Sequence, residues 1–362
     1  MPELPELTRT DVLDPSLGEL DAETGLRWYD LRHLTIEGRG WPESELPHPY
    51  ARLPARAQQD VREPVWDLSL RSAGIRARFV TEATRIAARW TLRSPAMEMR
   101  HMPASGASGL DLYVRSDDDP TWRFAGVGIP SNDGENEAQL IPQMVEQPRE
   151  FLLHLPLYNG VDHVAIGVPD TASLAPAPPQ AEKPIVCYGT SIVHGGCAAR
   201  TGMAYPSILA RKLGRETINL GFSGNGQAEP EVAALLAELD PAVYMLDPLP
   251  NLQPSLVTER IEPFVRTLRA ARPETPIVLV ENVVYTNAHI EPMRRDRYRN
   301  SNMALRAAYD RLREAGVKHL HYVPCAPLLG EDNEATVDGT HPTDLGFMRM
   351  AEAFEPVLRA VL

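Results

Sequence analysis

The chain has 362 residues, 43% hydrophobic and 23% charged, the make-up of a folded globular protein with length enough for two hydrophobic cores. A formal net charge of −13 would be repelled by phosphate backbones and anionic lipid surfaces, which argues against nucleic-acid and membrane-surface partners. Three cysteines, Cys187, Cys197 and Cys325, contain no CxxC pair and point to a reducing compartment rather than a disulfide framework.

The first twenty residues, MPELPELTRTDVLDPSLGEL, have neither a basic nor an apolar leader segment. No apolar run reaches the roughly 18 residues of a membrane span, so the expected location is cytoplasmic. From about 74 to 168, short segments carry strand periodicity. IRARFVT sets Ile75, Ala77, Phe79 and Thr81 against Arg76, Arg78 and Val80; RIAARWTL, GLDLYVR, TWRFAGV, REFLLHLPLY and VDHVAIGV follow. SDDDP reads as one turn, and Asn159-Gly160 as a tight hairpin between the last two segments. Pro156 cannot donate to a ladder and demotes its segment to an edge strand or a bulge. An antiparallel β-sandwich is expected over residues 1–170.

Residues 171–183, rich in proline and alanine, read as a semi-rigid connector. Over 184–362, PIVCYG, TINLGF, AVYMLDP, PIVLVEN and VKHLHYV alternate with helical patterns such as EVAALLAEL and NMALRAAYDRLREAG. That alternation predicts a parallel sheet with helices on both faces.

In such a sheet the reactive crevice lies beyond the carboxyl ends of the strands. Ser191 follows the first strand, Gly224 the second and Asn251 the third, and Asp338 and His341 precede the last helix. Together they supply what acyl transfer requires. A serine hydroxyl needs a base, His341, and the imidazole needs a carboxylate, Asp338, to hold its tautomer and stabilise its cation. The developing oxyanion needs fixed donors; the backbone N–H groups of Ser191 and Gly224 and the amide of Asn251 are the candidates. Gly189 is expected to let the chain turn sharply and lift the Ser191 hydroxyl above the sheet.

YGTSI, SGN, LPN and DGTHP, in this order, resemble blocks I, II, III and V of the GDSL or SGNH hydrolase superfamily. The resemblance covers 184–362. It implies a flavodoxin-like three-layer α/β/α fold with Ser191 as nucleophile, His341 as base, Asp338 as its orienting partner, and Gly224 and Asn251 as oxyanion donors. It requires no metal or cofactor. SGLDLYV resembles the jelly-roll-like β-sandwich that precedes the catalytic domain in a bacterial subset of these esterases, a subset similar to carbohydrate acetylesterases. The implied substrate is a small-molecule acyl ester, an O-acetylated saccharide. Thr190 replaces the aspartate of the GDS signature and Leu252 the aspartate that often follows the block III asparagine. Neither lost group is one the mechanism needs.

Each residue also has a plainer reading. Ser191 can be only a helix N-cap, Gly224 a positive-φ turn, Asn251 a turn former after Pro250, and Asp338 with His341 a solvated loop pair. GFSGN misses the GxSxG elbow by one residue, which makes Ser223 a poor rival nucleophile. His194 reads as a pocket residue or a local cap; Asn225, Glu281, Asn282 and Tyr285 are further pocket candidates. His319 and His321 read as hydrogen-bonded strand histidines, and Cys197 as a small packing residue. The 101–109 loop, HMPASGASG, and Trp28 with Tyr29 either wall the crevice or pack the sandwich. Two other functions stay open: hydrolysis of lipid, thioester or secondary-metabolite acyl groups by the same triad, and non-catalytic glycan binding.

Overall fold

The computed structural model describes residues 12–116 and 118–362. The start of the expected sandwich, the leader reading of the first eleven residues, and Asp117 in the SDDDP turn lie outside the described residues. The first half contains β1 (Gly18–Asp21), β2 (Leu26–Asp30), β3 (Thr35–Glu37), β4 (Arg76–Thr81), β5 (Ile86–Leu92), β6 (Leu110–Arg115), β7 (Arg123–Gly128), β8 (Glu135–Ile141), β9 (Arg149–His154), β10 (Val161–Pro169) and β11 (Leu174–Pro176). Short helices α1 (Glu63–Ser69) and α2 (Ala104–Ala107) interrupt them. The strands form two antiparallel sheets, ordered β1-β2-β10-β5-β8 and β11-β4-β9-β6-β7, with β3 also paired to β4.

Strand periodicity explains how the sheets face each other. Ala77 and Phe79 of β4 and Phe151 and Leu153 of β9 meet Ala88 and Trp90 of β5 and Val164 and Ile166 of β10 in one core. The alternate residues of β4, Arg76 and Arg78, are also buried, and each pairs with Glu37; Arg78 reaches Glu150 as well. Buried charge is tolerated here because every member has a partner.

Three expectations fail for reasons of long-range pairing. Asn159-Gly160 does not close a hairpin, because β9 and β10 belong to different sheets. Asn159 is instead a buried staple whose Nδ2 donates to the carbonyl of Ser94 at 2.9 Å and whose Oδ1 accepts from the Ser94 amide at 3.1 Å. Pro156 lies beyond the end of β9, which is an interior strand between β4 and β6. Inside the expected connector, Leu174–Pro176 form β11, paired antiparallel to β4. Residues 41–68 leave the sandwich for the most part: Tyr50 stays in its core, but Trp41, Leu53, Val65 and Trp66 pack into a core of the second half.

The second half contains β12 (Ile185–Gly189), β13 (Thr217–Gly221), β14 (Val243–Asp247), β15 (Ile277–Val280) and β16 (Leu320–Val323). Its helices are α3 (Ser191–His194), α4 (Tyr205–Leu213), α5 (Pro230–Glu238), α6 (Pro254–Ala271), α7 (Pro292–Glu314) and α8 (Asp344–Val361). All sheet pairings are parallel, in the doubly wound order β13-β12-β14-β15-β16. Alternate strand residues divide between two helix layers. Val186, Tyr188, Leu246 and Leu279 meet α5, α6 and α7, while Cys187, Met245 and Val278 meet α4 and α8. The interior strands β12, β14 and β15, covered on both faces, are accordingly apolar over almost their whole length, whereas the edge strands β13 and β16 admit polar residues.

The halves are joined by polar contacts of the SGLDLYV segment. Asp111 is fully buried and accepts from Arg200 at 2.7 Å and from the Gly202 amide at 2.9 Å. Tyr113, two residues on and so on the same face, lies under the Arg211 guanidinium at 3.9 Å. A second joint caps the exposed edge of the parallel sheet. Arg52, 1% exposed, donates to the outward carbonyls of Asn219 at 3.1 Å and Gly221 at 2.7 Å on β13, and to those of Leu68 and Arg71. Burial pulls its pKa down to about 9, so it remains cationic at neutral pH. Arg52→Met keeps an apolar stem but strips donors from buried acceptors that cost roughly 1–3 kcal/mol each when unsatisfied. Urea unfolding should show a loss on the order of 3 kcal/mol or more.

Candidate active site

β12 delivers the chain to the crest of the sheet. Gly189 has no left-handed φ; a glycine is required because a Cβ there would collide with the carbonyl oxygen of Asp247 on β14. Close approach, not the expected sharp turn, is what selects glycine. Thr190 then caps α3, accepting from the Ile192 amide at 3.3 Å, which gives the non-aspartate residue at this position a local role. Ser191 opens the helix, where its N–H has no intrahelical acceptor.

The loop before α8 reaches over this helix start. The Ser191 Oγ lies 2.7 Å from His341 Nε2, and His341 Nδ1 lies 2.7 Å from Asp338 Oδ2. A carboxylate can only accept, so Nδ1 carries the proton and Nε2 is left to accept from the serine hydroxyl. Asp338 Oδ1 accepts from the amides of Thr340 at 3.0 Å and His341 at 2.8 Å, which fixes the carboxylate. Partial burial opposes its charge, but the His341 amide and ring outweigh that and hold the Asp338 carboxyl below the usual carboxylate range.

The loop after β13 supplies the opposite wall. Gly224 sits at φ +71°, in the left-handed region, with open space where a Cβ would stand. The hydrogen-bond network sets the Asn251 amide with its oxygen accepting from the Asn225 N–H at 3.1 Å and the Gly226 N–H at 3.2 Å, leaving both amide hydrogens free to donate. Leu252, the residue after Asn251, is fully buried in the α6 and α7 core.

The expected pocket residues fare differently. His194 is fully buried, pointing back to the first half; its Nε2 meets the Leu157 carbonyl at 2.7 Å and its ring stacks on Tyr158 at 4.3 Å. Burial, with Arg52 and Arg71 nearby, pushes its pKa well down, so it is a neutral structural residue and lines no open pocket. Asn225 Oδ1 accepts from the Arg62 guanidinium at 2.9 Å. Both oxygens of Glu281 are taken on the β16 side, by the Tyr322 hydroxyl and by the Cys325 amide at 2.8 Å. Its neighbour Asn282 is fully buried. His319 precedes β16 and pairs with Glu274 at 3.0 Å. Burial and the Asp338 charge push the Cys197 thiol up to about 12, which rules it out as a ready nucleophile. Trp28 and Tyr29 are sandwich residues, 5% and 3% exposed.

The first half nonetheless reaches the site, through the 101–109 loop as one of the two expected readings had it, and through residues with no motif to mark them. His101 places its ring 5.9 Å from that of His341. The Tyr158 hydroxyl donates to Ser223 Oγ at 3.2 Å, and Arg62 grips the main chain of Asn225 at 2.9 Å. A separate cleft lined by Arg39, Trp41, Pro184, Glu238 and Asp240 lies at the amino ends of β12 and β14, the wrong edge for a reactive crevice.

Asp247, at the end of β14, is a buried acid beside this site. Its Oδ2 accepts from Tyr205 at 3.2 Å, its Oδ1 has no partner, and burial pushes its pKa up to about 8. An unfolded aspartate ionises near about pH 4. Between those values the folded chain keeps a proton that the unfolded chain releases, so this group's stabilisation is complete below pH 4 and is lost as pH rises to 8. Asp247→Asn removes the dependence. Its melting temperature relative to the parent should rise between pH 4.5 and pH 8, and parallel profiles would show that Asp247 is ionised when folded.

Residues 182–359 match the GDSL-like lipase/acylhydrolase family, and residues 26–174 match the N-terminal domain of SGNH-hydrolase-type esterases. A crystal structure from Bacteroides ovatus, described as a GDSL-like lipase, is 34% identical over 93% of this chain and 98% of that one, with a TM-score of 0.88. The chain belongs to the GDSL-like lipase/acylhydrolase family. This GDSL hydrolase is accordingly an ester hydrolase, and acyl ester hydrolysis is its chemistry. Its two-part fold recurs in the salicylyl-acyltransferase SsfX3 from a tetracycline biosynthetic pathway, at TM-score 0.70 and 19% identity over 93% of this chain and 97% of that one. It recurs also in an acetyl xylan esterase from the rumen bacterium Butyrivibrio proteoclasticus, at 0.55 and 11% over 92% and 98%. No curated protein matches the chain.

Proposed function

We propose that this GDSL hydrolase is a serine esterase that removes acetyl groups from saccharide hydroxyls through an acyl-Ser191 intermediate. The observation that carries the proposal is the relay Ser191 Oγ–His341–Asp338, with 2.7 Å at each link. His341 Nε2 takes the serine proton as Oγ attacks the ester carbonyl, then returns it to the departing sugar oxygen. A water activated by the same nitrogen releases acetate. The oxyanion accepts from the N–H groups of Ser191 and Gly224 and from Asn251 Nδ2, while Asp338 stays ionised and stabilises the imidazolium. The saccharide and acetyl reading draws support from the acetyl xylan esterase that shares both halves of the fold. A second reading, transfer or hydrolysis of a bulkier secondary-metabolite acyl group, draws support from the TM-score of 0.70 to the salicylyl-acyltransferase.

An acyl series on a common leaving group separates them. Under the first reading kcat/KM is greatest for acetyl and falls by about tenfold or more by butanoyl, as a short acyl pocket demands, and acetate is released from acetylated oligosaccharides. A rate that climbs with chain length, or a preference for a salicylyl ester, would overturn it.

A further inference from the structure

A cluster that shares His341 with the relay adds two donors that ester hydrolysis does not use. His101, Cys197 and His341 each present a ligating atom within 4.8 Å of the other two. They come from separate places: the loop ahead of α2 in the first half, the loop after α3, and the loop before α8. Cys197 is 5% exposed, yet it joins none of the hydrophobic clusters among the described residues, so apolar packing does not account for it. It is held at φ +74°, a left-handed conformation that costs a non-glycine residue energy and that persists where the surroundings impose it.

Two imidazoles and a thiol are the donors that borderline-soft cations take, and are unsuited to magnesium or calcium. The outer shell is present as well. A histidine that binds zinc through one nitrogen usually donates its other N–H to a carboxylate, and His341 Nδ1 faces Asp338 Oδ2 at 2.7 Å. His101 is exposed and on a loop, so it can close the remaining distance.

We infer that His101, Cys197 and His341 form an inhibitory site for a divalent cation of the zinc class. Coordination breaks the Cys197 S–H bond, forms an S–metal bond and releases the proton to solvent; both imidazoles bind as neutral ligands. His341 Nε2 then has its lone pair on the metal and cannot accept the Ser191 proton. The inhibitory part rests on the proposed role of His341, whereas binding itself does not.

Co2+ added to the full chain is the test, because a cobalt–thiolate bond gives a charge-transfer band in the near ultraviolet. The parent and Ser191→Ala should both show the band at one equivalent. Cys197→Ser should abolish it, and His101→Ala should weaken affinity by at least the roughly 10–100-fold that loss of an outer-shell partner costs. Zn2+ should displace Co2+ and stop hydrolysis of an acetyl ester by the parent, with recovery on adding a chelator. No band in the parent, or a band of equal affinity in His101→Ala, overturns the metal site and leaves the esterase reading standing. A normal band together with full turnover by Ser191→Ala would overturn the esterase reading and leave the metal site standing.

Discussion

Replacing Ser191 by alanine should cut turnover by about 10⁴–10⁶-fold and leave the fold unchanged, the size of loss expected when a serine nucleophile acting as a unit with its base is removed. The fold should survive for local reasons. The serine carbonyl, not its hydroxyl, takes the amides of Gly195 at 3.0 Å and Gly196 at 2.7 Å. Thr190 still caps α3, and alanine has high helix propensity. Side-chain loss therefore costs one hydrogen bond, to His341. Stopped-flow hydrolysis of an activated acetyl ester measures the turnover, a near-ultraviolet dichroism spectrum the fold, and labelling by a fluorophosphonate, which should be lost, the nucleophile itself. Labelling that persists in the variant, or an undiminished rate, would remove Ser191 from the mechanism.

The residues of this relay are legible in the sequence because each follows from local constraint plus topology. A serine after a buried strand and an Asp-x-x-His pair before the last helix both fall at the carboxyl edge of a parallel, doubly wound sheet, where contacts of 2.7 Å join them. The 101–109 loop that carries His101 is legible only as one of two readings, and Tyr158 and Arg62 are not legible at all. They act across the joint between the halves, as Arg62 does on Asn225, and no spacing along the chain announces that contact. Glu281 shows the opposite failure. It stands at a strand end as expected, but its neighbour on β16 consumes the carboxylate, and strand order is invisible in a local pattern.

The same division holds for the fold. Runs such as IVCY, VYML and IVLV can be buried on both faces only, which makes β12, β14 and β15 plain. By contrast, β8 reads ENEAQLI and buries only Asn136 and Leu140 at alternate turns of its pleat, too faint a signal to separate it from a loop. Asn159-Gly160 satisfies the local rule for a hairpin while the flanking strands pair elsewhere. Local chemistry permits a turn there; the partners of β9 and β10 decide the path.

Asp338→Asn should lower kcat by about 10⁴-fold with little change in KM, the loss that follows when a triad imidazole is held in the wrong tautomer. The direction comes from the hydrogen bonds. Oδ1 accepts from the amides of Thr340 and His341, so an asparagine oxygen must occupy that position to keep both. Its NH2 group is then forced toward His341 Nδ1, where the carboxylate Oδ2 stood at 2.7 Å. Two donors cannot face each other, so the ring proton moves to Nε2, which then points a hydrogen at the Ser191 hydroxyl instead of a lone pair. The geometry is kept and the base is lost. Asp338→Ala leaves Nδ1 without any imposed partner, so the ring can still sample the productive tautomer through water and should be less impaired than Asp338→Asn. Pre-steady-state kinetics tests both: the asparagine variant should lose the acylation burst, and an alanine variant slower than the asparagine one would show that charge, rather than tautomer, is what Asp338 contributes.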